Sequence, residues 1–159
     1  MTPADILLAN RLADAAGAAI RPFFRSAFAH EAKDDASPVT EADRAAEAAI
    51  RAILDSEYPH DAIIGEEYGE KSGTSGRSWI LDPIDGTVSF MAGRPIFGTL
   101  IALLEDGWPV LGVIDQCISG ERWVGAAGRE TTFNGKPVRT RSCRALSDAV
   151  LASTGPQYF

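Results

Sequence analysis

The stretch Trp79-Ile80-Leu81-Asp82-Pro83-Ile84-Asp85-Gly86-Thr87 places two carboxylates where an apolar run ends. The apolar run predicts a buried strand, and Pro83 predicts a tight turn on which Asp82 and Asp85 face the same side. Gly86 lets a backbone N–H approach an anion closely. Such a turn suits a divalent cation and a phosphate group together. An ordinary turn is the alternative, because Asp-Pro and Asp-Gly are common turn sequences.

Two further acidic segments precede this turn. One is IIGEE, residues 63–67, in which an apolar strand end runs into Glu66 and Glu67, and the other is SPVTEAD, residues 37–43. Three acidic turns at the ends of predicted elements indicate a constellation rather than an isolated turn. Thr40 and Asp43 also have a purely structural interpretation, because Thr-x-x-Asp at a helix start is a variant of the capping box.

These segments resemble a known family. Residues 39–43, 65–67 and 82–87 occur in this order and spacing in the inositol monophosphatase superfamily, and the resemblance extends from the first helix to the last residue. Residues 93–103, 112–116 and 121–125 are most similar to its histidinol-phosphate phosphatase branch. The resemblance implies Mg²⁺-dependent hydrolysis of small phosphate monoesters without a covalent phosphoenzyme. It also implies that Mn²⁺ can substitute for Mg²⁺ and that Li⁺ inhibits.

The resemblance further implies roles for individual residues. The implied groups are metal ligands at Glu66, Asp82, Asp85 and the main-chain carbonyl of Ile84; phosphate contacts at Asp85, Gly86 and Thr87; and catalytic residues at Glu66, Thr87 and Asp43. Lys33 is a further candidate that would approach the metal site from the loop before the second helix. Glu67 would either support the ligands or face solvent.

The hydrophobic spacing predicts two helices before the first strand. The first covers residues 3–28, with Thr2 as its N-cap, and Pro22 is expected to kink or shorten it. The second begins after Thr40 and ends near Glu57. The apolar positions expected to face inward are Leu8, Leu12, Ala15, Ala19 and Phe23 in the first helix, and Ala46, Ala49, Ile50 and Ile53 in the second.

The pattern then changes to short strands that are separated by turns. The predicted strands are residues 62–65, 79–82, 97–104, 110–115, 121–126, 132–133 and 138–140. Asp106-Gly107 and Asn134-Gly135 are strong hairpin signals, whereas residues 69–77 are polar and glycine-rich and predict a mobile loop. We therefore expect an α+β fold in which two N-terminal helices pack on a largely antiparallel sheet.

The resemblance to the family also implies two domains. Residues 1–143 would form a metal- and phosphate-binding α+β domain, and residues 144–159 would begin an α/β domain whose first strand is 148–154. The resemblance implies that the remainder of that domain carries a further metal-binding Asp and most substrate contacts. An unpaired first strand favours a homodimer or a complementary C-terminal chain. Three functions stay open: histidinol-phosphate phosphatase, inositol-1-monophosphatase or a related phosphatase, and a catalytically silent domain.

Composition excludes other function classes. The net charge of −7 leaves no basic stripe for nucleic acid or for an anionic membrane. No apolar segment approaches the ~20 residues of a membrane span, and no signal peptide is evident, so a cytoplasmic location is expected. The separation of Cys117 and Cys143 argues against zinc and disulfide sites, and the acidic spacing lacks the calcium-binding EF-hand pattern.

Overall fold

Two helices, α1 (Pro3–Ile20) and α2 (Glu41–Glu57), pack against each other and against a mixed sheet. The computed structural model describes residues 2–26, 30–32, 38–150 and 152. This architecture confirms the predicted α+β class with two N-terminal helices. No helix in the described ranges is both long and apolar enough to cross a membrane.

Helix α1 is shorter than predicted. Thr2 is its N-cap, and both the amide and the hydroxyl of Thr2 donate to Oδ2 of Asp5. The helix ends at Ile20 instead of residue 28, because Pro22 interrupts it and the chain continues as a 3₁₀ turn. The predicted shortening by Pro22 is therefore confirmed, and the predicted end at residue 28 is wrong.

The buried face of α1 is also rotated from the predicted one. Leu8 and Leu12 are buried as expected, but Ala15, Ala19 and Phe23 are only partly buried. The residues that α1 buries are Asp5, Leu8, Ala9, Leu12, Ala13, Ala16, Gly17 and Ile20. The difference arises because α1 contacts α2 as well as the sheet, which widens the buried stripe toward the small alanines.

Helix α2 matches the prediction at both ends. Ala46 and Ile50 are buried as expected, and Leu54 joins them, whereas Ala49 and Ile53 are only partly buried. Thr40 is its N-cap and accepts hydrogen bonds from backbone amides of the first turn. The capping-box interpretation of this helix start is therefore confirmed.

The large sheet contains eight of the ten strands found in the described part of the chain. The strands are β1 (His30–Ala32), β2 (Pro38–Thr40), β3 (Ala62–Gly65), β4 (Gly69–Lys71), β5 (Arg77–Asp85), β6 (Gly98–Glu105), β7 (Trp108–Gln116), β8 (Glu121–Ala126), β9 (Thr132–Phe133) and β10 (Lys136–Pro137). Their order in the large sheet is β10-β9-β8-β7-β6-β5-β3-β4, and β1 and β2 form a separate antiparallel pair. Only the β3–β5 pairing is parallel among these described strands, which confirms the largely antiparallel expectation.

Both predicted hairpin turns are present. Asp106-Gly107 joins β6 to β7, and Asn134-Gly135 joins β9 to β10. All four residues have positive φ, with φ of 50° at Asp106 and 47° at Asn134, as expected for a two-residue turn of this kind.

The structure corrects several other element predictions. Part of the expected mobile loop, residues 69–77, is strand β4, which pairs with β3 through a short turn. The strand expected at 138–140 is absent there, and the last described strand is β10. Leu146–Asp148 is a 3₁₀ turn and residues 149–150 belong to no strand, whereas residues 151 and 153–154 of the expected final strand lie outside the described residues. A five-residue helix, α3 (Thr87–Met91), was not predicted.

The core lies between the two helices and one face of the sheet. Alternate residues of β5, β6 and β7 join the helices in one buried cluster, including Trp79, Leu81, Ile101, Leu103 and Val113. The opposite face carries an open apolar groove of about 570 Å³. Its lining includes Ile80, Leu100, Ile114 and Trp123, with Asp82 at the same surface.

Candidate functional site

The two aspartates of the opening motif lie where β5 loses its regular pairing. The register of β5 with β6 shifts between Asp82 and Asp85, so the strand bulges at Pro83-Ile84. Thr99 of β6 is buried and its hydroxyl donates to the carbonyl of Pro83 over 2.8 Å. The bulge is therefore held by the neighbouring strand, and pairing with β6 resumes at Asp85, which lies opposite Gly98 at the end of β5.

Gly86 and Thr87 turn the chain from β5 into α3. Gly86 has φ 92° and ψ 39°, a left-handed conformation that favours glycine. Its carbonyl accepts from the amides of Ser89 (2.8 Å) and Phe90 (3.1 Å). The Thr87 hydroxyl donates to the carbonyl of Ile84 over 3.0 Å, which closes the turn.

Aromatic side chains pack against α3 and stabilise it. Phe90 is buried and its ring meets Phe97 edge-on, with centroids 5.2 Å apart. Phe24, which follows the 3₁₀ turn after α1, lies 5.9 Å from Phe90 and 5.8 Å from Phe97. Such tilted and edge-on arrangements are favoured for aromatic rings. The aromatic cluster therefore fixes the turn that carries Thr87.

Glu66 reaches the same place through the parallel pairing of β3 with β5. Gly65 lies opposite Leu81, and the amide of Glu66 donates to the carbonyl of Leu81 over 3.2 Å. Glu66 is therefore held beside Asp82, which follows Leu81 in β5. Glu66 lies close enough to Asp82 that its charge helps to raise the pKa of Asp82.

Asp43 approaches from the first turn of α2. It is buried, and its Oδ2 accepts from the amide of Thr40 (2.9 Å) and from the hydroxyl of Thr40 (2.5 Å). These two hydrogen bonds account for the position of the Asp43 carboxyl group as a helix cap. Asp43 nevertheless lies near enough to Asp82 to affect its charge.

The electrostatics of the site centre on Asp82. Burial is the largest cause that raises the pKa of Asp82, to about 7; the charge and hydrogen bond of Glu66 and the charges of Asp85 and Asp43 add to it. Oδ1 of Asp82 is buried and has no hydrogen-bond partner in the described structure. A buried carboxylate oxygen without a donor is costly unless something positive satisfies it.

This donor set fits a divalent cation. Among the described residues, no three His, Cys, Asp or Glu side chains already form a group that could hold a metal ion. Repulsion between like charges opposes closer approach of the carboxylates, and a cation would replace that repulsion with attraction. The unpartnered oxygen of Asp82 and its all-oxygen neighbours match the preference of hard cations such as Mg²⁺.

The structure thus brings together most residues that the sequence singled out. Glu66, Asp82, Asp85 and Asp43 form one acidic group, and Ile84, Gly86 and Thr87 form the turn next to it. Glu67 takes part differently, because its backbone amide donates to the Glu47 carboxylate. Lys33 lies outside the described residues.

Two supporting residues escaped sequence reasoning. Thr99 looks like any strand threonine, so nothing in the pattern marks it. Glu47 does leave a signal, since it lies between the inward-facing Ala46 and Ile50 of α2, four residues after Asp43. An acidic residue on the apolar face of a helix predicts a buried hydrogen-bonding partner.

An open groove of about 870 Å³ near α1, β7 and β8 contains none of the described site residues. One part of its polar lining is Arg122, which donates to Asp115 (2.6 Å), Asp14 (2.8 Å) and the Asn10 side chain (3.1 Å). The charge of Arg122 is therefore already paired, and its bonds tie α1 to the sheet.

Comparison with known proteins agrees with this geometry. Residues 4–156 match the model of the inositol monophosphatase family. The chain is 53% identical over 152 residues to the chloroplastic bifunctional phosphatase IMPL2 of Arabidopsis thaliana, covering 94% of this chain and 44% of that protein. It is 40% identical over 160 residues to a histidinol-phosphatase of Chlorobaculum parvum, covering 100% of this chain and 61% of the relative.

Solved structures give the same result. An inositol monophosphatase of Zymomonas mobilis matches with a TM-score of 0.83 and 56% identity, covering 98% of this chain and 60% of that one. The chain therefore spans about half the length of its curated relatives and somewhat more of this structure. With a matching family model over nearly all of its residues, this chain belongs to the inositol monophosphatase family.

Proposed function

We propose that the chain is the metal- and phosphate-binding part of a Mg²⁺-dependent phosphate monoester hydrolase. Its substrate would be L-histidinol phosphate and its product L-histidinol, and this reaction would be a step of histidine biosynthesis. The observation that carries this proposal is the buried, unpartnered Oδ1 of Asp82 in a group of carboxylates beside the Gly86-Thr87 turn. An acidic group next to backbone donors is consistent with a substrate anion held through a cation.

The metal would be held by Glu66, Asp82, Asp85 and the main-chain carbonyl of Ile84. Oxygen-only donors favour Mg²⁺, and Mn²⁺ could replace it. When bound, such a metal lowers the pKa of a coordinated water and offsets phosphate charge. By family resemblance, Li⁺ would inhibit.

The turn residues would bind the phosphate and orient the attacking water. The amides of Gly86 and Thr87 would donate to phosphate oxygens, and Asp85 would lie beside them. Because the Thr87 hydroxyl already donates its proton to Ile84, its oxygen is left to accept a hydrogen bond from water. Glu66 would orient the same water, and Asp43 would maintain the surrounding hydrogen bonds.

Two candidate residues have secondary roles in this proposal. Glu67 would support the Glu66 turn from its edge, since its backbone is bonded to Glu47. Lys33 would approach the site from the loop before α2, a role that rests on the family resemblance alone.

The substrate assignment rests on the named relatives. Histidinol-phosphatases of Chlorobaculum parvum and Mycobacterium tuberculosis are 40% and 44% identical to this chain. An inositol-1-monophosphatase of Rhizobium meliloti is 37% identical, and the Zymomonas mobilis structure is named as an inositol monophosphatase. Inositol 1-phosphate is therefore the second candidate substrate.

A catalytically silent domain that binds metal and phosphate is the alternative from another class, because it would keep the same acidic group without turnover. The proposal also includes a homodimer or a complementary C-terminal chain, a boundary between two domains at residues 143 and 144, and a cytoplasmic location. The exposed apolar groove favours association with a further polypeptide surface. Sedimentation velocity across a concentration series would test whether the chain associates.

The decisive experiment is phosphate release by the 159-residue chain from histidinol phosphate and from inositol 1-phosphate, with and without Mg²⁺. Asp85→Asn should abolish the Mg²⁺-dependent release and leave the fold intact, because it removes a proposed ligand charge at an exposed position. Asp55→Asn is the control, since Asp55 is an exposed carboxylate paired with Lys71.

The outcomes separate the candidates. Release that Asp85→Asn abolishes and Asp55→Asn preserves would support the hydrolase, and the preferred ester would decide between the two substrates. Full turnover by Asp85→Asn would refute Asp85 as a ligand. A well-folded chain that releases no phosphate would favour the silent domain.

A further inference from the structure

Glu47 is a carboxylate that the proposed chemistry does not use, although it is completely buried in α2. Its carboxylate accepts from the backbone amides of Glu67 (2.7 Å) and Tyr68 (3.2 Å) and from Nε of Arg51 (2.8 Å). Charged groups are rarely buried unless donors surround them, and here three donors converge on one side chain. Two of those donors belong to the turn that joins β3 to β4.

That turn begins at Gly65, where a side chain has no room. A Cβ at position 65 would collide with Oε1 of Glu47 and would lie 2.8 Å from Nη2 of Arg51. Nη2 of Arg51 also donates to the carbonyl of Gly69 at the other end of the turn. Glu47 and Arg51 therefore hold both ends of the segment 65–69 against α2.

Glu66 is the residue between these anchors. Its own amide donates a hydrogen bond to the carbonyl of Leu81, the residue immediately before Asp82. The next two amides donate to the carboxylate of Glu47. Three consecutive backbone donors thus determine where Glu66 leaves the turn. The backbone that carries the Glu66 side chain has little freedom to move relative to Asp82.

We propose that Glu47 is a positioning residue: its buried carboxylate fixes the 66–68 turn so that Glu66 presents its side chain to the metal beside Asp82. This inference rests on the proposed function, in which Glu66 is a metal ligand. Residues that orient ligands from outside typically change metal affinity roughly 10–100-fold when they are replaced.

The test measures Mn²⁺ binding to the full chain by electron paramagnetic resonance. Glu47→Gln keeps the shape of the side chain but replaces one accepting oxygen with an NH₂ donor, which faces backbone donors. We expect its Kd for Mn²⁺ to rise roughly 10–100-fold. Glu66→Gln should also weaken binding, because it alters the ligand itself.

Asp61→Asn is the matched control for a loss of stability. Asp61 is also buried, and it accepts from Ser75 (2.7 Å) and from the Trp79 indole (2.9 Å), just before β3 begins. It lies at the end of β3 opposite Glu66. Urea unfolding should show that both Asp61→Asn and Glu47→Gln reduce stability, whereas only Glu47→Gln should weaken Mn²⁺ binding.

A second readout does not depend on a metal. Amide hydrogen exchange measured by NMR should accelerate at Glu67 and Tyr68 in Glu47→Gln relative to the other strand amides. Gly65→Ala should produce the same pattern from the opposite side of the contact, because its Cβ would displace the Glu47 carboxylate.

The outcomes distinguish this inference from the proposed function. If Glu66→Gln weakens Mn²⁺ binding but Glu47→Gln does not, the positioning role is wrong and the proposed function stands. Equal weakening by Asp61→Asn would also overturn it, since a general loss of stability would then suffice. If Glu66→Gln binds Mn²⁺ as tightly as the original chain, the proposed ligand fails and the positioning role falls with it.

Discussion

Gly86 places the most demanding local requirement on the sequence of the site. Its φ of 92° lies in the left-handed region, and a Cβ there would lie 3.2 Å from the carbonyl oxygen of Ile96 and 3.4 Å from Cα of Phe97. Both atoms belong to the backbone, which cannot rotate away as the end of a long side chain can. Conformation and space therefore both require glycine at this position.

Gly86→Ala should consequently destabilise the chain more than an alanine at another glycine with positive φ. Gly128→Ala is the control, because Gly128 has φ 73° and a Cβ added there would have nothing within 4 Å. The left-handed conformation alone costs about 1–2 kcal/mol, and Gly86→Ala should exceed that loss in urea unfolding. Equal losses would show that the contacts with Ile96 and Phe97 relax without cost.

For individual residues, the sequence predicted the acidic motif better than it predicted the residues that hold the motif in place. The motif of Asp82, Asp85 and Gly86 can be recognised from the sequence because carboxylates and glycine are concentrated at one strand end. Thr99 and Glu47 act through hydrogen bonds to backbone groups far away in the chain. Such partners depend on the tertiary arrangement, which local patterns do not contain.

Among the elements, the start of α1 is tied to the start of β5 by one ion pair. Arg77 donates to Asp5 over 2.6 Å, and Asp5 is buried at the first turn of the helix. Burial alone would raise the pKa of Asp5, but hydrogen bonds from Arg77 and Thr2 outweigh it, so its pKa lies below the ordinary 3.8. The pair therefore stabilises the folded chain while Asp5 is ionised.

The sign of this shift predicts a pH dependence. A depressed folded pKa gives a contribution that is fully present above 3.8 and is lost as the pH falls through the lower folded value. Asp5→Asn should cost about 2 kcal/mol at neutral pH, and the difference from the original chain should shrink below pH 3.8 in urea unfolding.

Asp14→Asn provides the comparison on the same helix. Its side chain is 70% exposed and its bond to Arg122 is one of several that this guanidinium makes. Exposed ion pairs contribute little, so the loss at neutral pH should be well under that of Asp5→Asn. A pH-independent difference for Asp5→Asn would contradict the ionised pair.

Element prediction succeeded where the signals are local. The Asp-Gly and Asn-Gly turns and the Thr40 cap are determined by neighbouring residues, and the structure has them. Strand β4, Gly69–Lys71, has no apolar alternation, and it forms because its backbone pairs with the free edge of β3. Helix α3 likewise depends on residues outside it, because its Phe90 packs against the distant Phe24 and Phe97.

For the whole molecule, the distinctive property is the difference between the two faces of the sheet. One face is covered by α1 and α2, whereas the other exposes Ile80 (38%) and Ile114 (51%) along the apolar groove. Contiguous apolar surface of this kind marks sites of association. A hydrophobic dye should therefore bind the folded chain on this face.

Ile114→Ser should reduce that dye fluorescence while lowering the unfolding free energy by only about 1 kcal/mol, because half of the Ile114 side chain is already exposed. Leu7→Ser is the control, since Leu7 is 67% exposed but lies on α1. The groove would be excluded as the dye site if both variants lowered the signal equally.

The contact of α1 with the sheet also has a consequence for biosynthesis. Arg122 holds Asn10 across 112 residues of sequence, so the sheet-facing side of α1 cannot be completed until β8 has been made. At about 5–20 residues per second, a ribosome needs on the order of ten seconds for that distance. Helix α2 can cover part of α1 sooner, but Leu8 and Leu12 emerge well before the strands that bury them. During that interval the nascent α1 is an apolar segment without the strands that bury it, and a ribosome-associated chaperone would meet it in that exposed state.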